Sequence, residues 1–163
     1  MIVNRYQSGV LSLAWSVLGC REEAEDAAQE AFLRAYENLA DFGPPLNLKN
    51  WIFAIAFHRC LDRLRRRKTE LKARERWARE DRGGGGDSGP ERSLEALAVL
   101  GPHWKRLSAK ERTALALAVV EGYSAAEIAE VLYCAEGTAR VHVFKAKRKL
   151  RRWMKGNVDV PNH

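Results

Sequence analysis

The stretch SAAEIAEVLYCAEGTARVHVFKAKRKLRR (Ser124–Arg152) predicts two helices joined by a short turn. Its first four residues, SAAE, have the spacing of a capping box, in which a serine and a glutamate close the first turn of a helix. We expect that helix to reach Leu132, the residues YCAE to form a turn, and a final helix to cover about Gly137–Lys155. Two helices separated by so short a turn, the second strongly basic, are typical of a helix-turn-helix.

The final helix has two unlike faces. Its apolar residues recur at intervals of three and four, which predicts a buried stripe of Ala139, Val143, Ala146, Leu150 and Trp153. The opposite side is basic, yet it also carries Val141 and Phe144. One interpretation is a solvated basic face with two exposed apolar residues, which is common on protein surfaces. The other is a surface that enters the major groove of DNA.

In the second interpretation, arginine contacts guanine edges and apolar side chains contact thymine methyl groups. The candidate base contacts are then Arg140, Val141, Phe144 and Lys145. The candidate phosphate contacts, which would make binding depend on salt, are Lys147, Arg148, Arg151 and Arg152.

Charge is segregated along the chain, which has 163 residues, 46% of them hydrophobic, and a formal net charge of +7. Residues 20–41 carry a net charge of −5, residues 58–82 carry +6, and residues 136–155 carry +7. Basic elements fit nucleic acid, whereas an acidic helix would be repelled by DNA and fits a basic protein surface. The plain alternative for each element is a solvated face. The pattern favours more than one kind of partner.

Several classes of function are not indicated. The three cysteines, Cys20, Cys60 and Cys134, are far apart and form no CxxC, so neither a disulfide framework nor a metal site is expected. The chain has no catalytic or phosphate-binding motif, so we predict neither an enzyme nor a cofactor. Unpaired thiols, with no signal pattern and no apolar run of membrane-spanning length, predict a cytoplasmic protein without membrane insertion.

The segment GGGGDSGP at residues 83–90 divides the chain, because four glycines in a row do not hold a helix and Pro90 ends whatever precedes it. The spacing of apolar residues before it predicts three helices. They cover about Val3–Leu18, Glu22–Leu39, and Asn47 to Arg82. After it we expect a short helix at Glu91–Leu100 broken by Gly-Pro, then a helix that the capping box SAKE opens and that ends near Glu121. The fold class is therefore all-α.

The second and third helices offer two further surfaces. Opposite its apolar stripe the second helix presents Asp26, Gln29, Glu30, Leu33 and Glu37. The third helix is apolar nearly all round near its start and basic beyond Leu64. Its aromatic residues, Trp51, Phe53 and Phe57, fit either a buried core or stacking on unpaired bases.

Three blocks, in this order, resemble conserved regions 2 and 4 of bacterial sigma factors of the sigma-70 family, extracytoplasmic-function group. They are AEDAAQEAFLRAYENL (Ala24–Leu39), WIFAIAFHRCLDRLRRR (Trp51–Arg67) and LSAKERTALALAVVEGYSAAEIAEVLYCAEGTARVHVFKAKRKLRR (Leu107–Arg152). The resemblance implies a three-helix region 2 domain (residues 1–82), a flexible Gly-rich linker (83–90) and a region 4 helix-turn-helix domain (91–163). It also implies a sigma factor that binds core RNA polymerase through the β′ clamp helices and the β flap, directs it to promoter DNA, and is masked by an anti-sigma factor.

The resemblance assigns three sets of residues. Core-polymerase contacts fall on Asp26, Gln29, Glu30, Phe32 and Leu33. Contacts to the −10 element fall on Trp51, His58, Arg59, Asp62, Arg63 and Arg66. Contacts to the −35 element fall on Thr138, Arg140, Val141, His142, Phe144, Lys145 and Arg148.

The chain departs from the family pattern at both promoter-contacting helices. His58 stands where the family usually has asparagine, and Val141 and His142 replace a serine and an arginine. Two other functions stay open: a helix-turn-helix regulator that acts without polymerase, and a sigma-like decoy that sequesters an anti-sigma factor. The acidic second helix argues against the first of these, and the intact basic helices argue against the second.

Overall fold

The computed structural model describes residues 1–44, 47–77 and 101–156, and these ranges contain helices and turns but no strand. The helices are α1 (Ile2–Leu18), α2 (Arg21–Glu37), α3 (Leu48–Trp77), α4 (Gly101–Lys105), α5 (Ala109–Val119), α6 (Ala125–Leu132) and α7 (Glu136–Gly156). The all-α prediction is confirmed. The predicted linker at 83–90, the predicted helix at 91–100 and residues 78–82 of the predicted third helix lie outside the described residues.

Local capping explains several of the helix boundaries. Gly19 ends α1 with φ +66°, a left-handed conformation that suits glycine. Asn47 caps α3, since its Oδ1 accepts hydrogen bonds from the backbone N–H of Lys49 at 2.9 Å and of Asn50 at 3.4 Å. Both predicted capping boxes form, at the starts of α5 and α6.

One predicted boundary is wrong. Helix α2 ends at Glu37 rather than Leu39, where the Asn38 side chain and backbone N–H both donate to the Arg34 carbonyl and a short 3₁₀ turn follows. Gly101 and Pro102 lie within α4, and the helix that they are predicted to end lies outside the described residues. Proline is tolerated in the first turn of a helix, where its missing N–H has no intrahelical partner.

The core of the first domain forms where α1 and α2 pack on the first turns of α3. Phe53 and Phe57 are fully buried, so of the two interpretations of these aromatics the core interpretation is correct for both. Small alanine side chains on α2 let this helix approach α1 and α3 closely. The buried alanines are Ala24, Ala27, Ala28, Ala31 and Ala35. On α1, a Cβ at Gly9 would lie 2.7 Å from the Cζ of Phe53, so this position requires glycine.

The second domain packs α5 and α6 against α7. The predicted stripe on α7 is confirmed, with Ala139, Ala146 and Leu150 buried and Val143 and Trp153 partly buried. A partly buried ion pair links two of these helices, because the Lys149 Nζ lies 2.8 Å from both carboxylate oxygens of Glu111. Since Glu111 also closes the capping box of α5, one carboxylate joins the start of α5 to α7.

The two domains pack directly on each other at the end of α1. The last carbonyls of a helix have no partner within it. The Ser16 carbonyl accepts from the Trp104 indole Nε1–H at 3.0 Å and the Val17 carbonyl from the Arg112 guanidinium at 3.0 Å, both donors belonging to the second domain. Arg67 of α3 donates to the Leu18 carbonyl at 3.1 Å. Buried apolar residues of both domains belong to one continuous cluster.

The Glu111–Lys149 pair gives a testable dependence of stability on pH. Burial alone would raise the pKa of Glu111, but hydrogen bonds from Lys149 and the Ser108 N–H, and the charge of Lys149, outweigh it and leave the pKa below its ordinary value of 4.5. A carboxyl group with a lowered pKa stabilises the fold above that ordinary value, and this stabilisation is lost as the pH falls through the folded pKa.

We expect Glu111→Gln to lower the free energy of unfolding near neutral pH by about 1–3 kcal/mol, because the Lys149 charge loses its partner. The difference from the wild type should shrink as the pH falls below 4.5. Urea unfolding of both proteins across this range measures it. Glu127→Gln is the matched control, since Glu127 closes the same kind of capping box and pairs with no lysine in the described ranges. An equal loss in both variants would contradict the role of the ion pair.

Candidate polymerase- and nucleic-acid-binding surfaces

The outer side of α2 is an exposed acidic face, as the helical spacing predicts. Asp26, Gln29, Glu30 and Glu37 are exposed, and the Leu33 side chain at their centre is 64% exposed. Carboxylates around an exposed leucine suit a basic protein surface with a small apolar contact. Phe32 differs from the other predicted residues of this set, because it is partly buried and packs against the core.

Arg63 joins this acidic face to α3. Its guanidinium lies 2.6 Å from Glu30 and 3.8 Å from Asp26, and its side chain is largely buried. Arg63 is one of the residues predicted for the −10 element, and in the structure its guanidinium pairs with the α2 carboxylates. The position of α2 on α3 therefore depends on charge as well as on alanine packing.

The other predicted −10 residues lie along one face of α3, since Trp51, His58, Asp62 and Arg66 are spaced near multiples of the helical repeat. Trp51 is partly buried and its ring centroid lies 5.0 Å from that of Phe42. His58 donates from Nδ1 to the Ala54 carbonyl at 2.6 Å. Arg59 forms an ion pair with Asp62 at 3.5 Å, and Arg66 is exposed.

The outer face of α7 carries the residues predicted for the −35 element. Val141 is 46% exposed and Phe144 is 62% exposed, which confirms that both face away from the core. The Arg148 guanidinium lies 5.7 Å from the centroid of the Phe144 ring. Arg140 forms an ion pair with Glu136, and Thr138, Lys145 and Arg148 are exposed. This mixture of cations and apolar groups fits base edges and thymine methyls better than phosphates alone.

His142 differs from its neighbours on α7 because it is only partly exposed and faces α5. Burial and the positive charges of Lys110 and Lys145 hold the pKa of His142 below its ordinary value of 6.5, although the Glu111 carboxylate opposes this shift. The imidazole is therefore neutral at pH 7. A neutral imidazole does not supply the positive charge that an arginine would offer a phosphate.

One exposed residue of the candidate sites was missed by the sequence reasoning. Tyr36, three residues after Leu33 on α2, has its side chain 80% exposed. The spacing of three residues from Leu33 was the available signal, since it places both side chains on neighbouring parts of one face. Tyr36 extends the apolar part of the acidic face.

Among the described residues there is no candidate metal site, and the buried Cys60 is not a reactive thiol. No cluster of three or more potential metal ligands occurs within them. Burial raises the pKa of the Cys60 thiol to about 12, opposed by Arg63, so this thiol stays protonated. No helix in the described ranges has the length and apolar character needed to cross a membrane.

Comparison with known proteins gives matches that include both the acidic face of α2 and the outer face of α7. The family model for Sigma-70 region 2 matches residues 2–70, and that for Sigma-70, region 4 matches residues 105–150. The RNA polymerase sigma-H factor of Pseudomonas aeruginosa is 30% identical over 92% of this chain and 82% of its own length. The chain belongs to the extracytoplasmic-function group of the sigma-70 family. The region 2 match contains the acidic face of α2, and the region 4 match contains the outer face of α7.

Two further relatives agree with the family. The ECF RNA polymerase sigma factor SigW of Bacillus subtilis is 29% identical over 94% of this sigma factor and 87% of its own length. The solved structure of the sigma factor RpoE from Bartonella quintana, in complex with the anti-sigma factor NepR, is 24% identical to it. That structure covers 94% of each chain with a TM-score of 0.76, so the same fold extends over both domains.

The neutral His142 leads to a prediction about salt dependence. We expect His142→Arg to make the slope of log affinity against log salt steeper by about 0.9, because one added cation near a phosphate releases about one counterion. Promoter DNA titrations with the polymerase-bound protein at several salt concentrations measure the slope. His142→Gln, which is neutral like the wild-type imidazole, should leave the slope unchanged at pH 7.5. A shallower slope for His142→Gln would mean that the wild-type side chain already carries the contact.

Proposed function

We propose that this chain is a dissociable, non-catalytic subunit that binds core RNA polymerase and directs it to promoters by contacting their −10 and −35 elements. The observation that supports this most strongly is the presence of two unlike exposed surfaces on one small chain. The acidic face of α2 fits a basic protein surface, and the basic face of α7 fits DNA. We place the protein in the cytoplasm, which three free thiols also favour.

The polymerase contact is proposed for Asp26, Gln29, Glu30, Phe32 and Leu33. Four of these side chains are exposed and lie along one face of α2, with Leu33 at the C-terminal end of the set. Phe32 supports this patch from below through its contact with the core. The partner surface is then basic with an apolar recess, and we propose the β′ clamp helices for it.

The promoter contacts are proposed for two helices. On α3 they are Trp51, His58, Arg59, Asp62, Arg63 and Arg66, and Arg63 also forms an ion pair with Glu30 of α2. On α7 they are Thr138, Arg140, Val141, Phe144, Lys145 and Arg148, with His142 as a neutral neighbour. Because Val141 has no hydrogen-bond donor, we expect it to favour a thymine methyl over other groups in the groove.

Regulation by an anti-sigma factor is the remaining part of the proposal. Sigma factor RpoE of the same fold was solved in complex with the anti-sigma factor NepR, and CnrH with the cytosolic domain of CnrY. A protein that covered the α2 face would keep this chain from polymerase. The two other functions considered, a polymerase-independent regulator and a decoy, have less support, because the chain keeps both the acidic face and the exposed cations of α7.

We expect Gln29→Ala with Glu30→Ala to reduce core-polymerase binding by at least tenfold, since it removes a central polar contact and a carboxylate. Titration of labelled sigma factor with core polymerase measures the affinity. Asp41→Asn, which removes an exposed charge outside α2, is the control and should bind as the wild type does. Unchanged binding by the double variant, with helicity retained, would contradict the assignment of this face.

Removal of a base contact on α7 should have a different effect on transcription from removal of a phosphate contact. We expect Arg140→Ala to reduce transcription from the preferred promoter and to relax its dependence on the −35 sequence, with a loss of about 1–3 kcal/mol in discrimination. Arg151→Ala is the matched control, because loss of a phosphate contact weakens all sequences alike. Run-off transcription on promoter fragments with single −35 changes separates the two. Equal effects of Arg140→Ala on every fragment would remove Arg140 from the base contacts.

A further inference from the structure

The two ring nitrogens of His58 are in different states. The imidazole lies on the face of α3 that also carries Trp51, Asp62 and Arg66. Its Nδ1 lies 2.6 Å from the carbonyl oxygen of Ala54, which is one helical turn earlier. A carbonyl oxygen only accepts hydrogen bonds, so the proton of this bond is on Nδ1. A contact within α3 therefore decides which ring nitrogen carries the proton.

The other ring nitrogen, Nε2, is left as a hydrogen-bond acceptor. A neutral imidazole has one N–H and one nitrogen with a free lone pair, and the hydrogen bond made by the first nitrogen sets the state of the second. Within the described ranges, the bond to Ala54 is the one hydrogen bond of this side chain. His58 is partly exposed. Its lone pair is therefore free to accept a hydrogen bond from another molecule.

The carboxylate one turn further along α3 is already paired with other cations. One oxygen of Asp62 lies 3.5 Å from the Arg59 guanidinium, and the other lies 3.3 Å from that of Arg65. Asp62 thus has partners for both oxygens without a proton from His58. The Ala54 carbonyl remains the group that determines where the imidazole proton lies.

Aromatic contacts restrict the plane of the imidazole. The Phe57 ring meets it nearly edge-on, with ring centroids 5.4 Å apart and planes 79° apart. The Tyr133 ring, between α6 and α7, stacks on it with centroids 4.5 Å apart and planes 29° apart. Phe57 is fully buried and belongs to α3 itself, as Ala54 does, so two of the three contacts that orient the ring lie within α3.

We propose that His58 is a specificity-determining residue whose Nε2 accepts a hydrogen bond from the exocyclic amino group of an adenine or a cytosine in the −10 element. This rests on the proposed contact of α3 with that element. Adenine N6 and cytosine N4 carry amino donors, whereas thymine O4 and guanine O6 are acceptors. An acceptor nitrogen therefore favours adenine and cytosine at the base that His58 contacts.

An asparagine at position 58 would select bases differently. The asparagine amide has both a donor and an acceptor, and it pairs with N6 and N7 of adenine together. The donor of His58 is already used within the helix, in the bond to Ala54. We therefore expect His58 to accept either base with an amino group at a position where asparagine would select adenine.

Nuclear magnetic resonance of the full chain tests the position of the proton without polymerase or DNA. The measurement is made at about pH 8, which favours the neutral form of histidine. We expect long-range proton–nitrogen correlations of the His58 ring to show a protonated Nδ1 and an unprotonated Nε2. The signals that disappear in His58→Asn identify this ring. A proton on Nε2 with Nδ1 unprotonated would overturn the proposal, whatever the activity.

Selection from a promoter library randomised in the −10 element, with the polymerase-bound protein, tests the choice of base. We expect adenine and cytosine to be enriched about two- to tenfold over thymine and guanine at one position, the range that one hydrogen bond gives. His58→Ala should lose this preference at that position alone, and His58→Asn should narrow it to adenine. His58→Lys, whose side chain has only donors, should shift the preference to guanine or thymine.

The −35 preference of each variant is the internal control and should stay unchanged, since α7 is the same in all of them. Identical −10 preferences in wild type and His58→Ala would overturn the role of His58 in base selection. A His58→Lys protein that kept the wild-type preference would overturn it as well, because a donor cannot replace an acceptor. These two outcomes leave the proposed function in place. Failure of every form, wild type included, to direct core polymerase to any promoter would instead overturn the proposed function and the role of His58 with it.

Discussion

The arrangement of the whole chain depends on how the C-terminal end of α1 is satisfied. The last turn of α1 has no basic side chain of its own, and Gly19 ends the helix at once. Its free carbonyls therefore need donors from elsewhere. Trp104 and Arg112 provide two of them from the second domain, and Arg67 provides another from α3. A helix end that would otherwise bury unpaired carbonyls thus holds the two domains and the basic part of α3 in one structure.

At both candidate interfaces, one carboxylate has two roles. Glu111 caps α5 and also pairs with Lys149 of α7. This carboxylate therefore links α7, the helix proposed to enter DNA, to the first turn of α5. Glu30 faces the proposed polymerase partner and also holds Arg63 of α3. The buried Glu111 carboxylate and the largely buried Arg63 guanidinium would each be costly to bury without a partner. Each is paired, and each pair links a proposed binding helix to its neighbour. The remaining charges on α2 and α7 stay exposed and available to partners.

Most helix boundaries could be predicted because capping is local. The serine–glutamate boxes, Asn47 and Gly19 act within four residues of themselves, and all are found where their spacing places them. Periodicity does not give the early end of α2. There the Asn38 side chain and backbone N–H both donate to the Arg34 carbonyl, and a 3₁₀ turn follows. Phe53 and Phe57 fit both a core and a base-stacking surface by composition, and only packing decides that they are buried.

The sequence by itself determined the helices, their faces and the family, since each follows from spacing along one chain segment. Only the tertiary structure decided how two identical motifs differ in their further contacts. Glu111 and Glu127 occupy the same place in two capping boxes, yet only packing brings Lys149 to Glu111. Periodicity placed Phe144 outward and was right, but it gave no sign that Tyr133 would stack on His58, 75 positions away. Contacts between segments so distant depend on how helices dock, and that geometry is absent from the spacing within either segment.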